Sequence, residues 1–120
     1  MVFIRQRPLE SPVPSSPLGT VTTESPTFSW NDVAGADWYY LWVSGDGFHV
    51  LDRWMSAGSI CSGGTCIVHP TSFANGNYQY WLQAWSSIHG YGAWSPAYAF
   101  TVAMPLPGDA APTLELPAAP

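Results

Sequence analysis

The chain has 120 residues, of which 47% are apolar and 15% aromatic but only 9% charged, against about 25% in ordinary soluble domains. That is enough chain for one core but too little charge for a long ion-paired helix. The formal net charge of −5, with only Arg5, Arg7 and Arg53 as cations, sets nucleic acid aside as a partner and excludes a basic membrane-surface helix, and no apolar run approaches the ~20 residues that cross a bilayer.

The opening MVFIRQRPLESP is too short, and too soon interrupted by charge and proline, to be a signal peptide; a leader already removed, or a piece of a longer chain, is expected instead. Residues 1–7 read as an N-terminal extension. In residues 8–27 the prolines at 8, 12, 14, 17 and 26 forbid a helix and restrict strands to a sheet edge. TFSWN (27–31) then alternates, with Phe28 and Trp30 on one face. DVAGAD (32–37) is a turn, WYYLWVS (38–44) an aromatic strand, GDG (45–47) a second turn and FHVLDRWM (48–55) another alternating run.

The chain's two cysteines, Cys61 and Cys66, enclose a Gly-Gly pair in CSGGTC. The primary reading is a local disulfide across a hairpin-like loop, which implies an oxidising compartment. Reduced thiols are the second reading. A metal site of Cys61, Cys66 and His69 is the third, and it lacks the fourth ligand that structural zinc requires.

TCIVHP (65–70) leads to the turn ANGN (74–77) and the strand YQYWLQAWSS (78–87). IHGYGAWSP (88–96) is a loop, with AWSP read as a packing plug, and AYAFTVAM (97–104) is the last alternating run. No stretch holds a 3.6-residue period over three turns. Short strands with a turn every ten residues or so predict an all-β antiparallel sandwich of about seven strands. Residues 105–120, rich in Pro and Ala, read as a C-terminal extension or linker.

No catalytic, metal or cofactor site is expected. His49, His69 and His89 occur singly, Asp46 and Asp52 flank a turn without the spacing of an acid/base pair, and Ser59 and Ser62 lie outside any nucleophile elbow. There is no glycine loop that would cradle phosphate. No Asn-x-Ser/Thr sequon is present; the Ser/Thr/Pro run at 11–27 reads as an extended linker or a site for O-linked sugars.

The block from 8 to 104 resembles a fibronectin type III-like module, an immunoglobulin-like sandwich, of the kind found in bacterial extracellular proteins. Trp30 is similar to the tryptophan that plugs such sandwiches, and Tyr39, Leu41 and Val43 to the inward residues of their third strand. FANGNYQYWLQAW resembles the segment that sets a tyrosine near the start of the sixth strand, with Phe73 as apolar partner and Tyr78 as corner tyrosine, one residue closer than the family's usual spacing. GYGAWSPAYAFTV resembles the last loop and strand, with Phe100 in the core. This fold hosts many roles, so the resemblance implies an architecture and no chemistry.

The resemblance implies the phase of the strands. Tyr78, Tyr80, Leu82 and Ala84 face the core, which turns Trp81, Gln83 and Trp85 outward; Tyr39, Leu41 and Val43 face the core, which turns Trp38, Tyr40 and Trp42 outward. The third and sixth strands of this fold are neighbours, so Tyr40, Trp42, Trp81, Gln83 and Trp85 should share one outer face, extended by Trp54 and Tyr98. Gln79 is expected to point away from Gln83. Such a patch exceeds what a monomer ordinarily shows, unless the tails lie over it.

The termini add a second expectation. LESP (9–12) and LELP (114–117) repeat a Leu-Glu-x-Pro pattern, which marks Thr113, Leu114, Glu115 and Leu116, or residues 2–9, as segments for strand addition to a neighbour's edge. The expected role is that of a secreted or cell-surface, non-catalytic structural module. It joins copies of itself, or neighbouring modules, into a filament or array. The alternative is a carbohydrate-binding or spacer module of a larger secreted enzyme or adhesin, with glycans as partners.

Overall fold

A computed structural model describes residues 9–46 and 48–105. The N-terminal extension 1–7 and the segment Thr113–Leu116 lie outside the described residues. The order of elements is β1 (Pro14–Ser16), β2 (Gly19–Val21), β3 (Phe28–Asn31), β4 (Trp38–Gly45), β5 (Phe48–Ser56), the single turn α1 (Ala57–Ile60), β6 (Cys61–Ser62), β7 (Thr65–Val68), β8 (Gly76–Ser86), β9 (Gly90–Tyr91) and β10 (Tyr98–Val102).

The strands form two sheets. One has the order β1-β3-β7-β6; the other runs β2-β10-β8-β4-β5, with β9 also on β8. All pairs are antiparallel except β2 with β10, where Gly19, Thr20 and Val21 lie beside Phe100, Thr101 and Val102 in parallel. The proline-rich start therefore serves both sheets, β1 at the edge of the first and β2 at the edge of the second, the positions where a missing N–H breaks no ladder.

The core lies between the sheets. Phe28 and Trp30 of β3, with Cys66 and Val68 of β7, face Tyr39, Leu41 and Val43 of β4, Tyr80, Leu82 and Ala84 of β8, and Phe100 and Val102 of β10; all are buried. Alternation in β4 and β8 is strict, because a strand sends successive side chains to opposite faces. Phe28 is the hub, with ring centroids 5.1 Å from Tyr80, 5.6 Å from Phe100 and 5.9 Å from Phe73, and Trp30 meets Tyr39 edge-on at 5.5 Å.

The buried tyrosines keep their hydroxyls bonded. Tyr39 donates to Asp32 Oδ1 at 2.7 Å and accepts from the Val33 N–H, while Tyr80 donates to the Pro17 carbonyl at 3.1 Å. At the other end of β8, Tyr78 is half-buried: its ring stacks on Phe100 at 5.2 Å, and its hydroxyl donates to the Ala74 carbonyl at 2.7 Å. Gly45 lies opposite, where a Cβ would stand 2.8 Å from two carbons of the Tyr78 ring.

Cys61 and Cys66 form a disulfide and face each other directly across the β6–β7 hairpin. Gly63 and Gly64 both take positive φ, 62° and 90°, the requirement of a primed two-residue turn that a side chain would resist. The oxidised pair removes both the reduced-thiol reading and the metal reading with His69, since a disulfide offers no thiolate. His69 Nε2 instead lies 2.9 Å from Thr27 Oγ1.

Candidate interaction surface

The outward residues of β5, β4 and β8 fall into register as three rows. Ser56, Trp38 and Trp85 make the first, Trp54, Tyr40 and Gln83 the second, and Asp52, Trp42 and Trp81 the third. Tyr91 of β9 pairs with Trp85 and lengthens the first row. Beyond the third row the same face continues through the polar His49, Ser44 and Gln79 to Ala99.

A loop adds one more indole. Gly92 N–H donates to the Ala84 carbonyl at 2.8 Å and Ser95 N–H to the Leu82 carbonyl at 2.8 Å, so two residues on β8 are spanned by three on the facing chain. That excess makes a bulge, and a bulge re-aims a side chain. Trp94, in the bulge, comes to lie 5.6 Å from Tyr40, edge to face, and remains 45% exposed. The bulge is tied down twice, by Gln83 Nε2 donating to the Gly92 carbonyl at 3.0 Å and by Ser95 Oγ accepting from the Leu82 N–H at 2.9 Å.

Tyr40 sits at the centre. Its ring stacks on Trp54 at 4.6 Å with 24° between planes, and it meets Trp42 at 6.4 Å. Its hydroxyl donates to Asp52 Oδ2 at 2.8 Å, and His49 Nε2 stands 3.6 Å from the same oxygen. Burial, and then the bond to Asp52, hold the Tyr40 hydroxyl above its ordinary pKa, so it stays a neutral donor. Trp38 is 41% and Trp54 40% exposed, while Trp42, Trp81 and Trp85 are half-buried among their neighbours.

The structure thus places Tyr40, Trp42, Trp54, Trp81, Gln83 and Trp85 together on one face. Two expectations about that face are corrected. Tyr98 pairs with Tyr80, 5.9 Å between rings, and so packs against the core instead of extending the patch. Gln79 shares the outer face with Gln83, as residues four apart on a regular strand must. Trp94 and Tyr91 are members that sequence reasoning misses, and Trp38, expected outward but not in the platform, joins it. Trp38 carried a signal, since it shares the phase of Tyr40 and Trp42. Trp94 carried none, because its direction comes from the bulge.

The remaining candidates for chemistry stay apart. Among the described residues, Asp32, Cys61 and Cys66 approach one another within 4.8 Å, but the sulfurs are committed to the disulfide. His89 lies in the turn after β8, its N–H bonded to Ser86 Oγ at 2.7 Å. No helix among the described residues is long and apolar enough to cross a membrane. In comparisons with known proteins, no family model and no curated sequence matches the chain.

Proposed function

We propose that this chain is a non-catalytic, fibronectin type III-like module of a secreted or cell-surface protein, and that it works as a building block, presenting the outer face of its second sheet to a neighbouring copy. The order β1-β3-β7 against β5-β4-β8-β10 supports the family reading, as does the Tyr78 hydroxyl bound to the backbone just upstream of its own strand. The Cys61–Cys66 disulfide supports an oxidising compartment.

The observation that carries the role is the character of the face. Trp38, Tyr40, Trp42, Trp54, Trp81, Trp85, Tyr91 and Trp94 gather on one side of one sheet, where Trp and Tyr have the low conformational entropy and the large contact area of interface hot spots. A sugar platform needs ring faces open to solvent. Here Tyr40 and Trp54 each cover one face of the other, and Gln83 commits one of its two amide N–H groups to the Gly92 carbonyl. Slots between rings suit the side chains of a protein partner better than they suit a pyranose.

Sedimentation velocity over a hundredfold range of concentration tests the reading. Association that grows with concentration, and that Trp42→Ala with Trp81→Ala weakens at least tenfold, is expected. A monomer at every concentration whose tryptophan emission is quenched by soluble glycans would replace this reading with the carbohydrate-binding one.

A further inference from the structure

The outer face opens into two clefts. One, of about 270 Å³, is lined by Trp38, Trp54, Trp85 and Tyr91; the other, of about 250 Å³, by Trp42, Trp81 and Trp94. They belong to rows four residues apart along β4 and β8, a separation of about 14 Å at ~3.4 Å per residue. Aromatic-walled slots in series are what a polyproline II chain recognises: it has no internal hydrogen bonds to break, loses little entropy on binding, and rises ~3.1 Å per residue. The distance between the clefts equals four to five such residues.

The chain contains a segment of that composition. After Pro105 the sequence reads LPGDAAPTLELPAAP, with Pro107, Pro112 and Pro117 five residues apart and Leu114 and Leu116 between the last two. The segment has no cation, and the clefts are lined by none. Its point of departure is set by β10. That strand runs antiparallel to β8 from Tyr98, opposite Tyr80, to Val102, opposite Gly76. Met104 is then held by Asn75, through a 2.8 Å bond to its N–H and a 3.1 Å bond to its carbonyl. The chain therefore reaches Pro105 at the end of β8 remote from Trp81 and Trp85, heading away from its own clefts and toward whatever lies beyond that pole.

We infer that residues 106–120 of one copy occupy the aromatic clefts of the next, so that the face and the C-terminal segment are the two halves of one contact. The inference rests on the assembly reading above and names its partner segment. It also replaces backbone strand addition by Thr113–Leu116 with insertion of Pro and Leu side chains between rings. A contact between two different surfaces is heterologous. It leaves one unused face and one unused segment at the ends of any open chain of copies, which grows as a filament unless the rotation between copies closes it into a ring.

The test is complementation between full-length variants. One chain carries Trp42→Ala and Trp81→Ala and so lacks the face. The other carries Leu114→Asp and Leu116→Asp and so lacks the segment, with no change to the sandwich. Each alone should sediment as a monomer, and an equimolar mixture should give a discrete heterodimer and nothing larger, because each chain supplies one working half. Trp94→Ala, on the loop, serves as the face variant if the double change disturbs folding. If the segment variant assembles like the wild type, the contact is face to face: this inference falls and the assembly reading stands. If the wild type is monomeric throughout and the segment variant shifts its tryptophan emission, the segment covers its own face and the inference between copies falls. If the wild type is monomeric and that emission is unchanged, both fall.

Discussion

The two faces of the second sheet are built from alternate residues of the same strands, and they solve opposite problems. Inside, Tyr39, Leu41, Val43, Tyr80, Leu82 and Ala84 have no exposure at all. Outside, larger and more apolar rings keep much of theirs. Hydrophobicity alone would bury the indoles. Shape decides otherwise. Trp42 stands directly opposite Trp81, and Trp38 opposite Trp85. Turned inward, these pairs would crowd a layer about 10 Å deep that Phe28, Phe73 and Phe100 already fill with interlocked edges. Leu82 and Ala84 leave room for those edges. The inner face is governed by fit, and the outer face carries the rings that this fit does not admit.

The largest test of that contrast is truncation inside. Leu82→Ala removes a fully buried side chain from the centre of β8, leaves a cavity between the sheets, and should cost about 2–5 kcal/mol in urea denaturation. Many domains have only about 5–15 kcal/mol in total. A cost under about 1 kcal/mol would mean that the core is not centred where the two sheets meet.

Alkali should separate the faces next. Burial, reinforced for Tyr39 by the bond to Asp32 and for Tyr80 by the proximity of Tyr98, holds both inner tyrosines far above their ordinary pKa. In the unfolded chain they ionise near pH ~10. The folded state needs them neutral, so their contribution to stability is complete below that pH and is lost as pH rises beyond it. Ultraviolet titration should show the inner pair ionising together with unfolding, while Tyr40, on the outer face, ionises reversibly before it. Simultaneous ionisation of all three in a folded chain would contradict the burial.

Where the two faces meet, at the end of β8, the expected effects are smaller. Gly45→Ala drives a methyl group into the Tyr78 ring and should cost about 1–3 kcal/mol, the price of overpacking. Tyr78→Phe removes only the bond to the Ala74 carbonyl and should cost about 1 kcal/mol, read from the shift in the urea midpoint at constant slope. A reversed order would show that the hydroxyl, and not the ring, holds the corner.

The strand interiors were legible from sequence because a period of two, once its phase is set, assigns every side chain. Leu82 inside implies Trp81 outside. Legibility failed where the period breaks. Trp94 owes its direction to an excess of residues between Gly92 and Ser95, and nothing in AWSP announces a bulge. Tyr98 follows that bulge, so its phase cannot be counted on from Tyr91. The parallel strand β2 is only Gly-Thr-Val, too short for a pattern, and its place is set by Pro17 and by the hydroxyl of Tyr80 that binds the Pro17 carbonyl. Glycine chemistry, by contrast, was readable: the Gly-Gly pair foretold the hairpin that the disulfide spans.

The smallest expected effect carries the contrast furthest. Trp94→Ala removes a ring that is 45% exposed and whose aromatic contact is the edge of Tyr40. Such a contact contributes roughly 0.5–1.5 kcal/mol, and the exposed half of the indole contributes little, so the monomer should lose about 1.5 kcal/mol or less. An inner residue much smaller than tryptophan, Leu82, should cost several times as much. Yet Trp94 lines the cleft with Trp42 and Trp81, and its loss should weaken association at least tenfold. Urea denaturation and sedimentation of the one variant measure both numbers. A ring that matters for stability as much as Leu82 does, and for association not at all, would make the outer face a second core and remove its claim to be an interface.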